Sequence, residues 1–127
     1  MIDEILEEDQ ISYGNAAYLL LLATGELGRE AEVADAYQVA EQSGYATGYG
    51  IDEGITLGEF SYIAMESFGV PGGLWYTLVP SPRYAARELE FRGIIQGNAY
   101  PGSPVSGERA MRILSRLLTL QEEERIR

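Results

Sequence analysis

The chain contains no cysteine, no histidine and no lysine, and all nine of its basic residues are arginine. Without cysteine there is neither a disulfide nor a thiolate metal site. Without histidine the chain lacks the commonest general base and the commonest transition-metal ligand. Without lysine it has no Schiff-base amine and no phosphate-loop lysine. Catalysis would have to run on carboxylates, hydroxyls, tyrosine and arginine, so the expectation is a non-enzyme with no cofactor and no metal. Positive charge is scarce too: nine arginines face twenty carboxylates, for a net charge of −11. Such a surface repels phosphate backbones, which argues against a nucleic-acid partner. Long apolar runs are missing. The longest, Ala16 to Ala23, falls far short of the ~20 residues that span a bilayer, so no transmembrane segment is expected. Asp3, Glu4, Glu7, Glu8 and Asp9 stand where a signal peptide would carry a basic n-region.

What is present is a helical pattern. At 127 residues the chain reads as one domain, large enough to bury roughly two-thirds of its unfolded surface. Ile2, Ile5 and Leu6 predict a short amphipathic helix over Ile2–Glu8. Ser12 predicts the cap of a long helix to about Leu27, with Ala16, Leu19, Leu20, Ala23 and Leu27 in one stripe. Glu30 to Ser43 reads as the next helix, closed by Gly44 in the left-handed conformation. A helix over Leu57–Phe68 stops at Gly69, with Pro71-Gly72-Gly73 beyond. Leu74 to Val79 reads as a short strand or an extended segment. Ser81-Pro82 opens a helix that reaches Arg92 and ends at Gly93. Ser106 caps the last one, and its charged tail, Glu122–Arg127, is expected to fray.

The organising stretch is Gly54-Ile55-Thr56-Leu57-Gly58-Glu59-Phe60. Thr56 and Glu59 have the spacing of a capping box, in which each side chain satisfies the other's backbone N–H. Similar openings, a β-branched residue and then a hydroxyl, occur at Ile11-Ser12 and Val105-Ser106. Ala36-Tyr37, Ala40, Gly44-Tyr45, Gly48 and Ile55-Thr56 fall opposite Ala85-Ala86, Leu89, Gly93-Ile94, Gly97 and Val105-Ser106, at an offset of 49 residues that slips to 50. A period of this size signals a repeat architecture. Each unit is a helix, a Gly-x-x-x-Gly loop and a hydroxyl-capped helix, over 30–68 and 82–120, with 1–28 as a third whose loop is nearly deleted. Each unit has a one-sided apolar face that needs neighbours to bury it. The expected fold is all-α, with five to six helices closing about a pseudo-threefold axis.

At these residues the chain resembles the S-layer homology family. Pro82, Ala85-Ala86, Leu89, Gly93-Ile94-Ile95-Gln96-Gly97 and Val105-Ser106 match the first helix and glycine loop of that family's unit. Ile55-Thr56-Leu57-Gly58-Glu59-Phe60 matches the opening of its second helix. The resemblance spans about residues 30–120. It implies a helical prism whose grooves bind cell-wall polysaccharide and tether proteins to the cell envelope. The family's ligand-binding arginine falls at Tyr13, Leu57 and Gly107, and its tryptophan at Glu32 and Ser81, so the resemblance implies the fold more strongly than the ligand.

Candidate ligand contacts are aromatic and basic. Tyr45, Tyr49, Trp75, Tyr76, Tyr84 and Tyr100 lie in or near the loops and suit sugar stacking or a protein hot spot, unless they plug gaps between helices. Arg83 and Arg87 stand one turn apart and could clamp an anion, or form a charge lattice with Glu88 and Glu90; Arg109 sits on the third opening. Asp52-Glu53 reads as turn chemistry rather than as a catalytic pair, and Asp52, which is expected to order its own loop, joins the candidate ligand contacts. The expected function is an envelope-binding module in which Tyr49, Trp75, Tyr100 and Arg83 line an inter-unit groove for cell-wall glycan. The alternative is a protein–protein interaction or assembly module, with an envelope protein or a second copy as partner.

Overall fold

Hydroxyl caps at the starts and glycines past the ends cut the chain into helices. The computed structural model describes residues 2–28, 30–45, 48–70 and 74–126; within these, the side chains of residues 2, 3, 74, 75, 125 and 126 are not described. It contains α1 (Ile2–Leu6), α2 (Tyr13–Thr24), α3 (Val33–Gln42), α4 (Leu57–Phe68), α5 (Leu74–Leu78), α6 (Pro82–Phe91) and α7 (Gly107–Ile126), with no strand among the described residues. The protein is therefore all-α. Ser12, Thr56, Ser81 and Ser106 each accept the N–H three residues on with their side-chain oxygen, at 3.1 to 3.3 Å. Each cap satisfies one of the orphan donors of a helix start and contributes about 1 kcal/mol.

Several expected boundaries move. α3 starts at Val33, not Glu30, because Ala31 donates to the Gly28 carbonyl in a turn and the Asp35 carboxylate accepts the Glu32 N–H at 2.8 Å. α2 ends at Thr24, where Gly25 turns left-handed with φ 83°. Leu74–Leu78, expected as a strand or an extended segment, is helical, and α7 continues to Ile126 through the tail expected to fray. The expected Pro71-Gly72-Gly73 break lies outside the described residues. The capping box at Thr56 is half made: Thr56 caps Glu59, but the Glu59 carboxylate accepts from the Tyr49 hydroxyl at 3.2 Å.

The helices pack by neighbour. α3 lies on α2, α6 on α4 and α1 on α7, while α2 also touches α4 and α7; α5 packs on α6. The core takes Ala16, Leu19 and Leu20 from α2, Phe60, Ile63 and Ala64 from α4, and Ala110, Ile113 and Leu117 from α7. Each large apolar side chain buried there contributes about 1.5–3 kcal/mol.

At the centre, three segments meet through their backbones. Ile11 donates to the Val105 carbonyl at 2.7 Å, and Ile55 donates to the Ile11 carbonyl at 2.9 Å. The Gln10 side chain donates to the Ile55 carbonyl at 3.1 Å. Ile11, Ile55 and Val105 are all fully buried. Each helix opening then reaches the loop before the next. Tyr13 and Gly14 donate to Glu53 and Ile51, Leu57 and Gly58 donate to Ser103 and Pro101, and Gly107 donates to Glu8.

Close approach demands glycine at these crossings. A Cβ on Gly14 would meet Ile51 and Val33, and one on Gly58 would meet Pro101 and Pro82; the two sets of partners stand 49 to 50 residues apart. A Cβ on Gly107 would collide with the Ile5 carbonyl group. The loop glycines also match: Gly44 and Gly48 have φ 79° and 84°, and Gly93 and Gly97 have 78° and 81°. Gly58→Ala is expected to lower stability by about 1–3 kcal/mol and Gly107→Ala by more, since its clash is with backbone. Urea unfolding followed by circular dichroism measures both, with Gly28→Ala, where nothing lies within 4 Å, as the near-neutral control.

Candidate binding surfaces at two loop junctions

The first junction forms where α2 and α4 meet the loop before α4. Tyr13 opens α2 and is buried, and its ring stacks on Tyr49 with centroids 4.5 Å apart and planes within 7°. Tyr49 in turn donates its hydroxyl to Glu59 at 3.2 Å. Burial pushes the Glu59 carboxyl above the ordinary carboxylate range, and the Tyr49 hydrogen bond only partly opposes it. The Tyr49 hydroxyl is raised by the neighbouring Glu59 charge and then by burial. Burial first, and then Glu59, raise Tyr13 as well. Tyr62, on the same helix as Glu59, is raised by burial and then by Glu66 and Glu59. The junction is thus tyrosine-rich and acidic.

Asp52 is exposed in this loop, but it is the next carboxylate that orders the turn: Glu53 accepts the Gly50 N–H at 3.2 Å, and its own N–H donates to the Gly50 carbonyl. The expectation that Asp52 orders its loop is corrected to that extent. Beside this junction, between α2 and the start of α3, lies a shallow depression of about 380 Å³ lined by Tyr18, Ala31, Glu32, Val33 and Ala34. Neither Tyr18 nor Glu32 stood among the expected contacts. The readable signal is an aromatic side chain on the face of α2 opposite its apolar stripe of Ala16, Leu19, Leu20 and Ala23, where the helix core does not account for it.

The second junction uses different chemistry in the same setting. Arg109 donates to the carbonyls of Gln96 and Asn98, and Arg116 donates to the Ile94 carbonyl at 3.0 Å. The loop 94–104 is pinned by these two guanidinium groups, so Arg109 acts on the chain itself. Burial, then Arg112 and Arg116, lower the Arg109 pKa. Asn98 makes the turn, accepting the Tyr100 N–H at 3.0 Å and donating to Ser103 at 2.8 Å. Tyr100 is 69% exposed, and a Cβ on Gly102 would sit 2.8 Å from its ring.

The remaining expected contacts separate. Tyr76 is buried on α5, and its hydroxyl donates to Glu66 at 2.9 Å; burial and that bond raise it. The Trp75 side chain lies outside the described residues. Arg83 and Arg87 are exposed on α6, whose ion pair is instead Arg92 with Glu88 at 3.0 Å. Tyr49 and Asp52 therefore share the first junction, Tyr100 and Arg109 share the second, and Arg83 and Arg87 form a third patch. Among the described residues no group of three potential metal-ligating side chains converges, and no helix is long and apolar enough to cross a membrane. No family model, curated protein or solved structure matches the chain.

Glu59 yields a pH prediction with a definite sign. Its folded pKa lies above its unfolded value, so the folded state holds the proton more tightly. Its contribution is most favourable below the unfolded carboxylate pKa and is lost as pH rises through the raised folded value. Glu59→Gln keeps an acceptor for Tyr49 and removes the titration. The variant is expected to gain stability relative to wild type as pH rises across that window, read from urea midpoints at a series of pH values.

Proposed function

We propose that the chain is a non-catalytic binding module of the S-layer homology type, holding a segment of cell-envelope glycan in a groove between repeat units. The repeat reading draws support from the crossings. Three openings each donate to the loop before the next opening, and the last returns to the first. The packing pairs run the same way, α3 on α2, α6 on α4 and α1 on α7. On this reading, units 1–28, 30–68 and 82–120 close about a pseudo-threefold axis, and no unit is left with an unburied apolar face.

The observation that carries the ligand is the depression between α2 and α3, at the seam between the first two units. Tyr18 offers a half-buried ring face on which a sugar can stack, and Glu32 offers a carboxylate to accept sugar hydroxyls. Tyr13, Leu57 and Gly107, which hold the family's arginine positions, are all buried in packing. Among the described residues no guanidinium lines this depression. The ligand segment it suits is therefore a hydroxyl-rich sugar without an acidic substituent, in place of an anionic polymer clamped by arginine forks. A location at the cell envelope follows from that ligand.

Cosedimentation with isolated cell-wall sacculi tests the reading. Wild type is expected in the pellet, and Tyr18→Ala is expected to weaken retention about tenfold, the loss of one stacking contact of ~1.4 kcal/mol. Wild type left wholly in the supernatant rejects the glycan. A protein partner is the second reading, favoured by Phe91, whose ring is 88% exposed on α6.

A further inference from the structure

Charge is divided along this chain. Residues 1–79 hold fourteen of the twenty carboxylates and a single arginine, Arg29, whereas residues 80–127 hold six carboxylates and eight arginines. The acidic protein thus carries a locally basic portion, and two of its exposed arginines stand on the outer face of α6. Arg83, Arg87 and Phe91 fall at i, i+4 and i+8, on one side of that helix, opposite the buried Ala85, Ala86 and Leu89. Among the described residues, neither Arg83 nor Arg87 makes a hydrogen bond or ion pair. α5 packs beside α6, and Leu78 at its end and Val79 just after it are both exposed.

The fold does not require these residues. The positions 49 earlier, on the outer face of α3, hold Ala34, Gln38 and Gln42. α3 packs on α2 as α6 packs on α4, so the same framework stands without two cations and a phenyl ring in water. A surplus of this kind is what an interface core with a charged rim is made of.

The complementary surface lies in the acidic portion. Glu4 on α1 and Glu7 just past its end are exposed and stand one turn apart, and Leu6, the residue before Glu7, is 41% exposed. Leu6 is the one large apolar side chain in the range 1–77 found exposed among the described residues. Two carboxylates one turn apart answer two guanidinium groups one turn apart, and each pair has an exposed apolar side chain next to it, Leu6 on one surface and Phe91 on the other. α1 sits on α7 and α6 sits on α4, so the two surfaces belong to different parts of one molecule. We infer that the α6 face of one copy docks on α1 of a second copy, head to tail. The contact is heterologous, leaves a free surface at each end, and therefore propagates into short chains. Two short helices bury less than the ~1,200 Å² of a stable interface, so the association is weak and relies on electrostatic attraction. It does not depend on the glycan reading, because neither surface includes Tyr18 or the depression beside it.

Sedimentation velocity of the full chain tests this at low salt (about 20 mM) and at about 500 mM, where the screening length falls to a few ångströms. The weight-average mass is expected to climb with concentration at low salt and to return to that of the monomer at high salt. Arg83→Glu with Arg87→Glu is expected to stay monomeric, as is Glu4→Arg with Glu7→Arg. An equimolar mixture of the two double variants is expected to associate again, which no merely misfolded variant would do. A milder double variant, Arg83→Ala with Arg87→Gln, places the α3 residues on α6 and is expected to weaken association while its melting curve is unchanged. Three results overturn the inference: a wild type that is monomeric at millimolar concentration in low salt, association that survives reversal of Arg83 and Arg87, or association that strengthens with salt. Loss of sacculus retention in the Arg83→Glu, Arg87→Glu variant, with wild type monomeric throughout, also overturns it and assigns the face to an anionic polymer.

Discussion

The structure depends on a backbone junction with no water around it. Ile11, Ile55 and Val105 are fully buried, and their peptide groups have no solvent to turn to. A buried N–H or carbonyl left unmet costs about 1–3 kcal/mol, so each segment must find its partner on another. Ile11 bonds to Val105, Ile55 bonds to Ile11, and the Gln10 amide takes the Ile55 carbonyl. Once these are met, the residues that follow are already aimed at the neighbouring loops, and the helices they open are brought side by side. The β-branched residues suit this role because the extended backbone of such a segment is the conformation they favour. The hydroxyl that follows each one then caps a helix.

The same position in each opening fastens the preceding loop, with a different chemistry each time. Asn15 donates to Glu8 at 2.8 Å, Glu59 accepts from Tyr49, and Arg109 donates to the carbonyls of Gln96 and Asn98. All three lie three residues after the capping hydroxyl, where a side chain points back along the helix toward the chain that leads in. The geometry fixes where the side chain reaches, and the loop decides whether an amide, a carboxylate or a guanidinium is useful there. Electrostatics then diverge, giving an acidic tyrosine-lined junction at one seam and an arginine-pinned loop at the other.

This split explains what could be read from residues alone. Helix ends carried by local chemistry were legible: Leu57–Phe68 has the bounds that Thr56 and Gly69 announce, and Ser81-Pro82 opens α6 as its cap and fixed φ dictate. Elements decided by distant contacts were not. Leu74–Leu78 is rich in residues that favour strands, yet it is helical, with Tyr76 seated against α4 through Glu66. The reach of Glu59 toward Tyr49 rather than toward its own cap, and the choice of Glu53 over Asp52 to order the turn, depend on where the loop lies in space. Of the binding contacts, the tyrosines of the loops were visible as a class. Which of them stack, which plug the core and which face water is a property of packing that spacing does not encode.

The bond from Ile11 to Val105 joins residues near opposite ends of the chain. During synthesis, a segment around Ile11 that finds its partner only near residue 105 must wait while the ribosome adds the intervening helices. Until then α2 can acquire α3 and α4, but its innermost backbone groups stay wet. The last cooperative step therefore waits until Val105 has left the ribosome, and a stalled nascent chain shorter than that would present a half-built, adhesive interior to chaperones.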